Sequence, residues 1–151
     1  MPDRQALIDV VNAAYAAFAA RHPQNLLQVC ALDCRWQAPG LTTFMPWAGE
    51  HHGHAGVLDF MGLLDEHLEF LAFDASALVV DVEQRQVVAL GVAHCRVKAS
   101  GRRYLNHWAH LFTLRDGLIT AFQEYPDTAA QLAAIHPALF AAATPEDCHH
   151  G

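Results

Sequence analysis

The chain has 151 residues, of which 53% are hydrophobic and 17% charged, and its formal net charge is −7. This length suits a single domain with a sizeable core, and the apolar content excludes the disordered class. The negative charge leaves no basic patch to neutralise phosphates, so a nucleic-acid partner is not expected.

Export and membrane insertion are not indicated either. No apolar run approaches the roughly 20 residues that span a bilayer, and the start, Met1–Arg4, lacks the layout of a signal peptide. A cytoplasmic protein with no membrane partner is therefore expected. The cysteines form no C-x-x-C pair, so buried free thiols are expected in place of a disulfide framework or zinc finger. They are Cys30, Cys34, Cys95 and Cys148.

Three helices are predicted in the first half of the chain. Asp3 is a good N-cap, and apolar residues at helical spacing follow up to Arg21, before Pro23 ends the helix. A shorter helix with Leu26 on its apolar side comes next. Helical spacing returns over residues 54–71.

The segments between these helices are irregular. Residues 34–37 predict a short strand that carries Trp36 and ends before Pro39-Gly40. The stretch 41–53 contains proline, glycines and Trp47, which predicts a loop with an unusual aromatic content for a solvated segment.

The second half of the chain changes to a strand-like period. Four runs rich in β-branched and aromatic residues are separated by turns short enough for hairpins, which predicts an antiparallel meander. The runs are 77–82, 87–98, 104–114 and 118–125, and the turns are 83–85, 100–101 and 115–117. Asp127 then caps a short helix that ends at Ile135. We expect one domain over 1–140 and a weakly ordered tail over 141–151.

Helices followed by an antiparallel meander indicate an α+β fold with the helices on one face of the sheet. In the third long strand, Trp108, His110 and Phe112 share one face, while His107 and Leu111 share the other. Neither face is plainly solvent-like. We therefore expect the outer face to be covered as well, most simply in a homodimer.

Several motifs occur in a familiar order along the chain. They are the Trp36 strand ending in Pro39-Gly40, Pro46-Trp47-Ala48-Gly49, the helix entry at Gly53, Trp108-Ala109-His110-Leu111-Phe112, Asp116-Gly117-Leu118-Ile119 and Glu124-Tyr125-Pro126-Asp127-Thr128. Together they resemble, over about residues 5–135, the SnoaL-like branch of the nuclear transport factor two-like superfamily. That superfamily also holds ketosteroid isomerases and limonene-epoxide hydrolases. The resemblance implies a cone-shaped curved antiparallel sheet with N-terminal helices on its concave face, an enclosed apolar pocket, and dimerisation through the outer face.

Only some of the catalytic positions of these enzymes are occupied by suitable residues in this chain. The Tyr, the Asp base and the strand acid of ketosteroid isomerases fall on Ala14, Ala38 and His110, and Ala38 cannot take a proton. In limonene-epoxide hydrolases, the last catalytic Asp matches Glu124, while the Arg-Asp pair falls near residues 92–94, where only a histidine ionises. In SnoaL-type polyketide cyclases, the acid/base Asp again matches Glu124, and a pocket His is present, a role open to His110.

Glu124 and His110 are therefore the candidate catalytic pair. They lie on adjacent antiparallel strands, so their side chains can meet across the ladder. In a pocket, burial would raise the pKa of the carboxyl into the range useful for acid/base work. The alternatives are a glutamate that reaches solvent at a strand end, and a hydrogen-bonded core histidine.

Aromatic and other large side chains are candidates for the pocket wall and for substrate binding. They are Phe18, Trp36, Met45, Trp47, Phe60, His94, Trp108, Phe112 and Phe122. Each of them could equally be an ordinary core residue. Trp47 is placed in a loop that could close the pocket mouth.

Eleven histidines raise the question of a metal. His107 and His110 differ in strand parity, so they face opposite sides and cannot bind one ion in a regular strand. The pairs His51-His52 and His149-His150 are typical of surface residues. No metal site is predicted, and the absence of dinucleotide, Walker and nucleophile-elbow motifs indicates no nucleotide cofactor.

Three functional hypotheses follow for a pocket that takes a small hydrophobic molecule. The first is an acid/base isomerase, cyclase or hydrolase that depends on Glu124 assisted by His110. The second is a non-catalytic module that binds a hydrophobic ligand. The third is a dimeric scaffold whose pocket is filled by its own side chains.

Overall fold

The structure is a computed structural model that describes residues 3–140. Its helices are α1 (Arg4–Ala19), α2 (Pro23–Gln28), α3 (Gly53–His67) and α4 (Thr128–Ile135), followed by a 3-10 turn at Pro137–Phe140. Its strands are β1 (Cys30–Ala38), β2 (Gly49–His52), β3 (Leu68–Asp81), β4 (Gln86–Val97), β5 (Arg103–Arg115) and β6 (Leu118–Tyr125). The predicted tail over 141–151, with Cys148 and His149-His150, lies outside the described residues.

One six-stranded sheet forms the frame of the molecule, in the order β2-β1-β6-β5-β4-β3. The strands β3 to β6 form the predicted antiparallel meander, while β1 pairs with β6 in parallel and with β2 in antiparallel orientation. The sheet is therefore mixed and not wholly antiparallel. It curls without closing, and the α+β cone predicted from the sequence is confirmed.

The helices begin where the local sequence provides caps. The carboxylate of Asp3 accepts a hydrogen bond from the backbone N–H of Ala6, which starts α1. At the other end of the chain, Asp127 accepts from the N–H of Ala130 and starts α4 as predicted. Within α1, Leu7, Val11 and Ala14 are buried, so this face packs against the sheet.

Three segment predictions need correction. The short strand predicted over 34–37 begins at Cys30 and ends at Ala38. The helix predicted over 54–71 ends at His67, and Leu68 already pairs with Val97 in a long β3. The apolar run after His67 fits either period, and pairing with β4 decides for a strand. The loop predicted over 41–53 contains the short strand β2, which adds an edge to β1.

A continuous core fills the space between the concave face of the sheet and the helices. Val11, Val57, Val87 and Ile119 in this core have no measurable exposure. None of the helices in the described range is long and apolar enough to cross a membrane.

Candidate functional site

A cavity of about 60 Å³ lies inside the core, between the concave sheet face and the helices. The helices contribute Tyr15, Phe18, Phe60, Met61, Leu64 and Gln131 to its wall. The sheet contributes an aromatic surface of Trp36, Phe70, Phe73, Trp108, Phe112 and Phe122, together with polar side chains that are described below.

The open side of the cavity lies between α1, α3 and β3. The lining side chains of β4 and β5 are buried, whereas Phe18, Leu64, Phe70 and Phe73 are only half-buried.

Tyr15 and His110 join α1 to the middle of β5. The Tyr15 hydroxyl oxygen lies 2.8 Å from Nδ1 of His110. Burial, and then the charge of Glu124, raise the pKa of the Tyr15 phenol. The phenol therefore keeps its proton, and in the Nε2–H tautomer of His110 it donates this proton to Nδ1.

His110 is held in an apolar stack. Its ring lies 4.0 Å from the Trp108 ring, centroid to centroid, with 16° between their planes. Burial lowers the pKa of His110 to about 3. The imidazole is therefore neutral near pH 7, where it can donate and accept one hydrogen bond each but carries no charge.

Glu124 stands directly opposite His110, because the two residues are cross-strand partners of β6 and β5. It lines the cavity and is half-buried, and its carboxylate makes no hydrogen bond to the residues described, 3–140. Burial raises the pKa of Glu124 to about 7. This carboxyl group can therefore take up or release a proton near neutral pH, as a general acid or base requires.

Four further polar atoms of the cavity wall are buried without a hydrogen-bond partner among residues 3–140. They are the indole Nε1 of Trp36 and Trp108, the hydroxyl of Tyr104 and the Oε1 of Gln131. Buried polar atoms are normally paired, so four exceptions around one cavity need an explanation. Three of these atoms are hydrogen-bond donors and the Gln131 Oε1 is an acceptor. The cavity wall therefore offers several unpaired donors despite its apolar composition.

The structure brings most of the predicted site residues together. Glu124 and His110 share the cavity with six of the predicted wall residues, namely Phe18, Trp36, Phe60, Trp108, Phe112 and Phe122. Three predicted residues lie elsewhere. Met45 and Trp47 are buried in the core outside the cavity wall, with exposures of 1% and 2%, and His94 has the strand parity of the outer face.

Tyr15, Tyr104 and Gln131 were not among the predicted site residues. The alignment to ketosteroid isomerases selected Ala14 on α1, yet Ala14 packs in the core and its neighbour Tyr15 reaches the cavity. Helical spacing could have indicated this, because Tyr15 lies four residues after Val11 and three before Phe18. Tyr104 could have been found from its parity with His110, whereas Gln131 had no comparable signal.

Two of the other histidines bond to backbone carbonyl oxygens within the fold. Nε2 of His51 bonds to the carbonyl of Trp47, and Nε2 of His54 bonds to the carbonyl of Cys30. Cys30, Cys34 and Cys95 are buried free thiols. Within the described part of the chain, no group of three or more His, Cys, Asp or Glu side chains could hold a metal ion.

The profile of the SnoaL-like domain family matches residues 11–122 of the chain. No protein of curated function matches its sequence.

Solved structures resemble the chain over most of its length. A nuclear transport factor two-like protein of Burkholderia xenovorans is 28% identical, with a TM-score of 0.78 over 89% of this chain and 98% of that one. TerC, co-crystallised with polyporic acid, is 24% identical, with a TM-score of 0.77 over 86% and 98%. A candidate polyketide cyclase of Xanthomonas campestris is 20% identical, with a TM-score of 0.73 over 87% and 98%. At such identities the last two show the fold alone.

Proposed function

The chain belongs to the SnoaL-like domain family, and we propose that it is an acid/base enzyme acting on a small hydrophobic molecule. Glu124 is the proton-transfer group in this proposal, and His110 assists it. The observation that carries the proposal is the position of Glu124 in an apolar cavity, with a carboxyl pKa raised to about 7. A base with this pKa is stronger than an exposed glutamate and is still half-ionised at neutral pH.

The chemistry that fits this site is proton transfer at carbon. As a carboxylate, Glu124 takes a proton from a carbon next to a carbonyl group, and the electron pair moves to the carbonyl oxygen. Glu124 then returns the proton at another position, which gives an isomer. If the enolate instead attacks a second carbonyl carbon of the same molecule, a ring closes and Glu124 protonates the new alkoxide. Neutral His110 takes part as a hydrogen-bonding group and not as a second acid.

Fold neighbours named as candidate isomerases and a candidate cyclase are in keeping with this choice of reaction. A non-catalytic binding module is the second candidate, because the unpartnered donors around the cavity favour a bound ligand whether or not it reacts. The two candidates differ in the role of Glu124, which is essential for turnover in the first and dispensable for binding in the second.

We propose that the partner on the outer sheet face is a second copy of the chain. Val79, Leu90, Leu105 and Tyr125 are exposed on this face by 41–59% of their surface. The strand β4 carries no Lys, Arg, Asp or Glu between residues 86 and 95. An apolar surface is complementary to itself, which suits the isologous contact of a two-fold dimer.

The catalytic proposal is tested with 5-nitrobenzisoxazole, a probe of bases in apolar sites. A base removes its ring C–H proton, the N–O bond breaks and a coloured cyanophenolate forms. We expect the native protein to catalyse this elimination with a rate that rises with pH through an apparent pKa near 7. Glu124→Gln should lower the rate by about 100-fold or more, and Glu83→Gln, at an exposed turn residue, is the matched control. Full activity in Glu124→Gln would contradict the proposal and leave the binding module.

A further inference from the structure

Two polar side chains of the cavity lie outside the group formed by Tyr15, His110 and Glu124. Tyr104 of β5 and Gln131 of α4 are exposed by only 7% and 3%. The Tyr104 hydroxyl and the Gln131 Oε1 have no hydrogen-bond partner among residues 3–140. Both side chains line the cavity wall. The acid/base chemistry proposed above uses neither of them.

The fold holds these two side chains together. Asn106 lies two residues after Tyr104 on the same face of β5, and its Oδ1 accepts a hydrogen bond of 2.8 Å from the N–H of Asp127. The carboxylate of Asp127 in turn caps α4 through the N–H of Ala130. This anchor fixes the first turn of α4 on β5, so that Gln131 is buried above the cavity.

Tyr104 and Gln131 are neighbours in this arrangement. Burial and the adjacent Cys95 thiol raise the pKa of the Tyr104 phenol, and the nearby Gln131 amide acts in the opposite direction. Even so, the hydroxyl and the amide oxygen make no hydrogen bond that satisfies either of them. Burying a hydroxyl and an amide without partners is costly, and phenylalanine and methionine would fill the same space without this cost.

We propose that Tyr104 and Gln131 form a subsite that binds the hydroxyl group of a ligand without an anionic group. A hydroxyl group has two acceptor positions and one donor. It therefore accepts from the O–H of Tyr104 and donates to Oε1 of Gln131, which satisfies both buried atoms at once. A carbonyl oxygen satisfies Tyr104 only, and an ether oxygen likewise cannot donate to Gln131.

The cavity disfavours anionic ligands. None of the lining residues in the described range is Lys or Arg, and His110 is neutral. A carboxylate ligand would also lie near Glu124, whose charge acts on the Tyr104 phenol. The ligand class is therefore an alcohol, phenol or enol that has an apolar body and carries no anionic group. The inference rests on the proposed ligand pocket, but it does not depend on proton transfer by Glu124.

Binding of three matched probes tests the subsite. Phenol carries the hydroxyl group, anisole carries the same oxygen without its proton, and benzene carries neither. We expect the native protein to bind phenol about five- to tenfold more tightly than anisole in NMR titrations of the indole N–H signals. This preference should fall to about twofold or less in Tyr104→Phe and in Gln131→Met, while Gln84→Met, at an exposed turn position, keeps it.

Thermal stability separates a ligand subsite from a structural hydrogen bond. Without ligand, Tyr104→Phe and Gln131→Met should keep or raise the Tm, because each removes a buried atom that has no partner. A Tm well below that of the native protein in either variant, or a phenol preference that survives in both, would overturn the proposal. So would equal binding of phenol and anisole by the native protein.

The experiments test the catalytic role of Glu124 and the Tyr104–Gln131 subsite independently. If Glu124→Gln keeps the elimination rate while the native protein prefers phenol, the catalytic function is wrong and the subsite stands. If Glu124→Gln abolishes the rate while phenol and anisole bind equally, the subsite is wrong and the catalytic function stands.

Discussion

The Tyr15 hydroxyl lies 2.8 Å from Nδ1 of His110 and connects the first helix to the centre of the sheet. A neutral imidazole has one nitrogen that accepts and one that donates, and in the Nε2–H tautomer Nδ1 accepts from the Tyr15 hydroxyl. The contact therefore fixes the orientation of the histidine opposite Glu124. This structural contact thereby positions the hydrogen-bonding group that assists Glu124 in the proposed proton transfer.

Loss of this contact should reduce stability. Tyr15→Phe removes the hydroxyl and leaves Nδ1 of the buried His110 without a partner, so the free energy of unfolding should fall by about 1–2 kcal/mol. Urea denaturation at pH 7 measures this change. Glu83→Gln, at an exposed turn residue, should change it by less than about 0.5 kcal/mol. Equal stability of Tyr15→Phe and the native protein would show that the contact is not formed in solution.

The raised pKa of Glu124 predicts an unusual pH dependence. The folded state holds its proton up to about pH 7, whereas an unfolded glutamate releases it near pH 4.3. Below pH 4, Glu124 is protonated in both states, and its ionisation does not lower the stability of the fold. Between these values the folded state binds more protons than the unfolded state, so this group lowers stability as pH rises from about 4 to 7.

Glu124→Gln should remove this penalty. We expect the variant to be more stable than the native protein at pH 8, by on the order of 3 kcal/mol, and similar to it at pH 4. Urea denaturation at the two pH values measures the difference, with Glu83→Gln as the control at an exposed carboxylate. A constant difference between variant and native protein across this range would contradict the raised pKa.

Gly91 allows the Trp108 indole to cover the sheet. A Cβ atom at Gly91 would lie 2.2 Å from the carbonyl oxygen of Asp74 and 2.3 Å from Cζ2 of Trp108. Since neither the backbone nor the packed indole can yield easily, Gly91→Ala should destabilise the fold by about 2 kcal/mol or more. Near-UV circular dichroism should report the displaced tryptophan.

The matched control for Gly91→Ala is Gly62→Ala. Gly62 lies within α3, and its Cβ atom would meet nothing within 4 Å. This substitution should stabilise the fold by about 0.5–1 kcal/mol through helix propensity. Opposite signs for the two variants are the expected result, and a neutral Gly91→Ala would refute the close approach.

We predict that the protein forms a dimer through the outer face of its sheet. Leu90→Lys combined with Leu105→Lys places two charges on the proposed contact, which should convert a dimer into a monomer in sedimentation velocity. The control, Leu32→Lys, introduces the same side chain in β1 at a residue that is 82% exposed. It should leave the dimer intact. A native protein that sediments as a monomer would exclude this partner.

The sequence predicts most of this fold because its signals are local. The three hairpin turns contain Arg85, Gly101 and Asp116-Gly117, all with positive φ, and the residues around them alternate with a period of two. The strand β6 has its predicted limits, Leu118–Tyr125. By contrast, β3 begins at Leu68 because Val97 pairs with it, a contact that neither segment reveals alone.

The candidate site is predicted in part for the same reason. Residues on one face of β5 are found from parity, so His110 and its aromatic neighbours follow directly from the sequence. Tyr15 and Gln131 reach the cavity only through the way in which α1 and α4 lie on the sheet. Trp47 illustrates the opposite case, because its loop folds inward and its ring is buried in the core. A tryptophan in a loop gives no indication of which neighbour will cover it.

The parallel pairing of β1 with β6 also has a consequence for biosynthesis. Trp36 lies opposite Phe122, and their rings stack with centroids 4.2 Å apart. This wall of the cavity therefore cannot form on the ribosome until β6 has emerged, although β1 is made early. The meander from β3 to β6 has only short loops to close, and we expect it to fold first. In pulse-labelled hydrogen exchange, amides of β4 and β5 should gain protection before those of β1, so that the pocket is the last part of the protein to form.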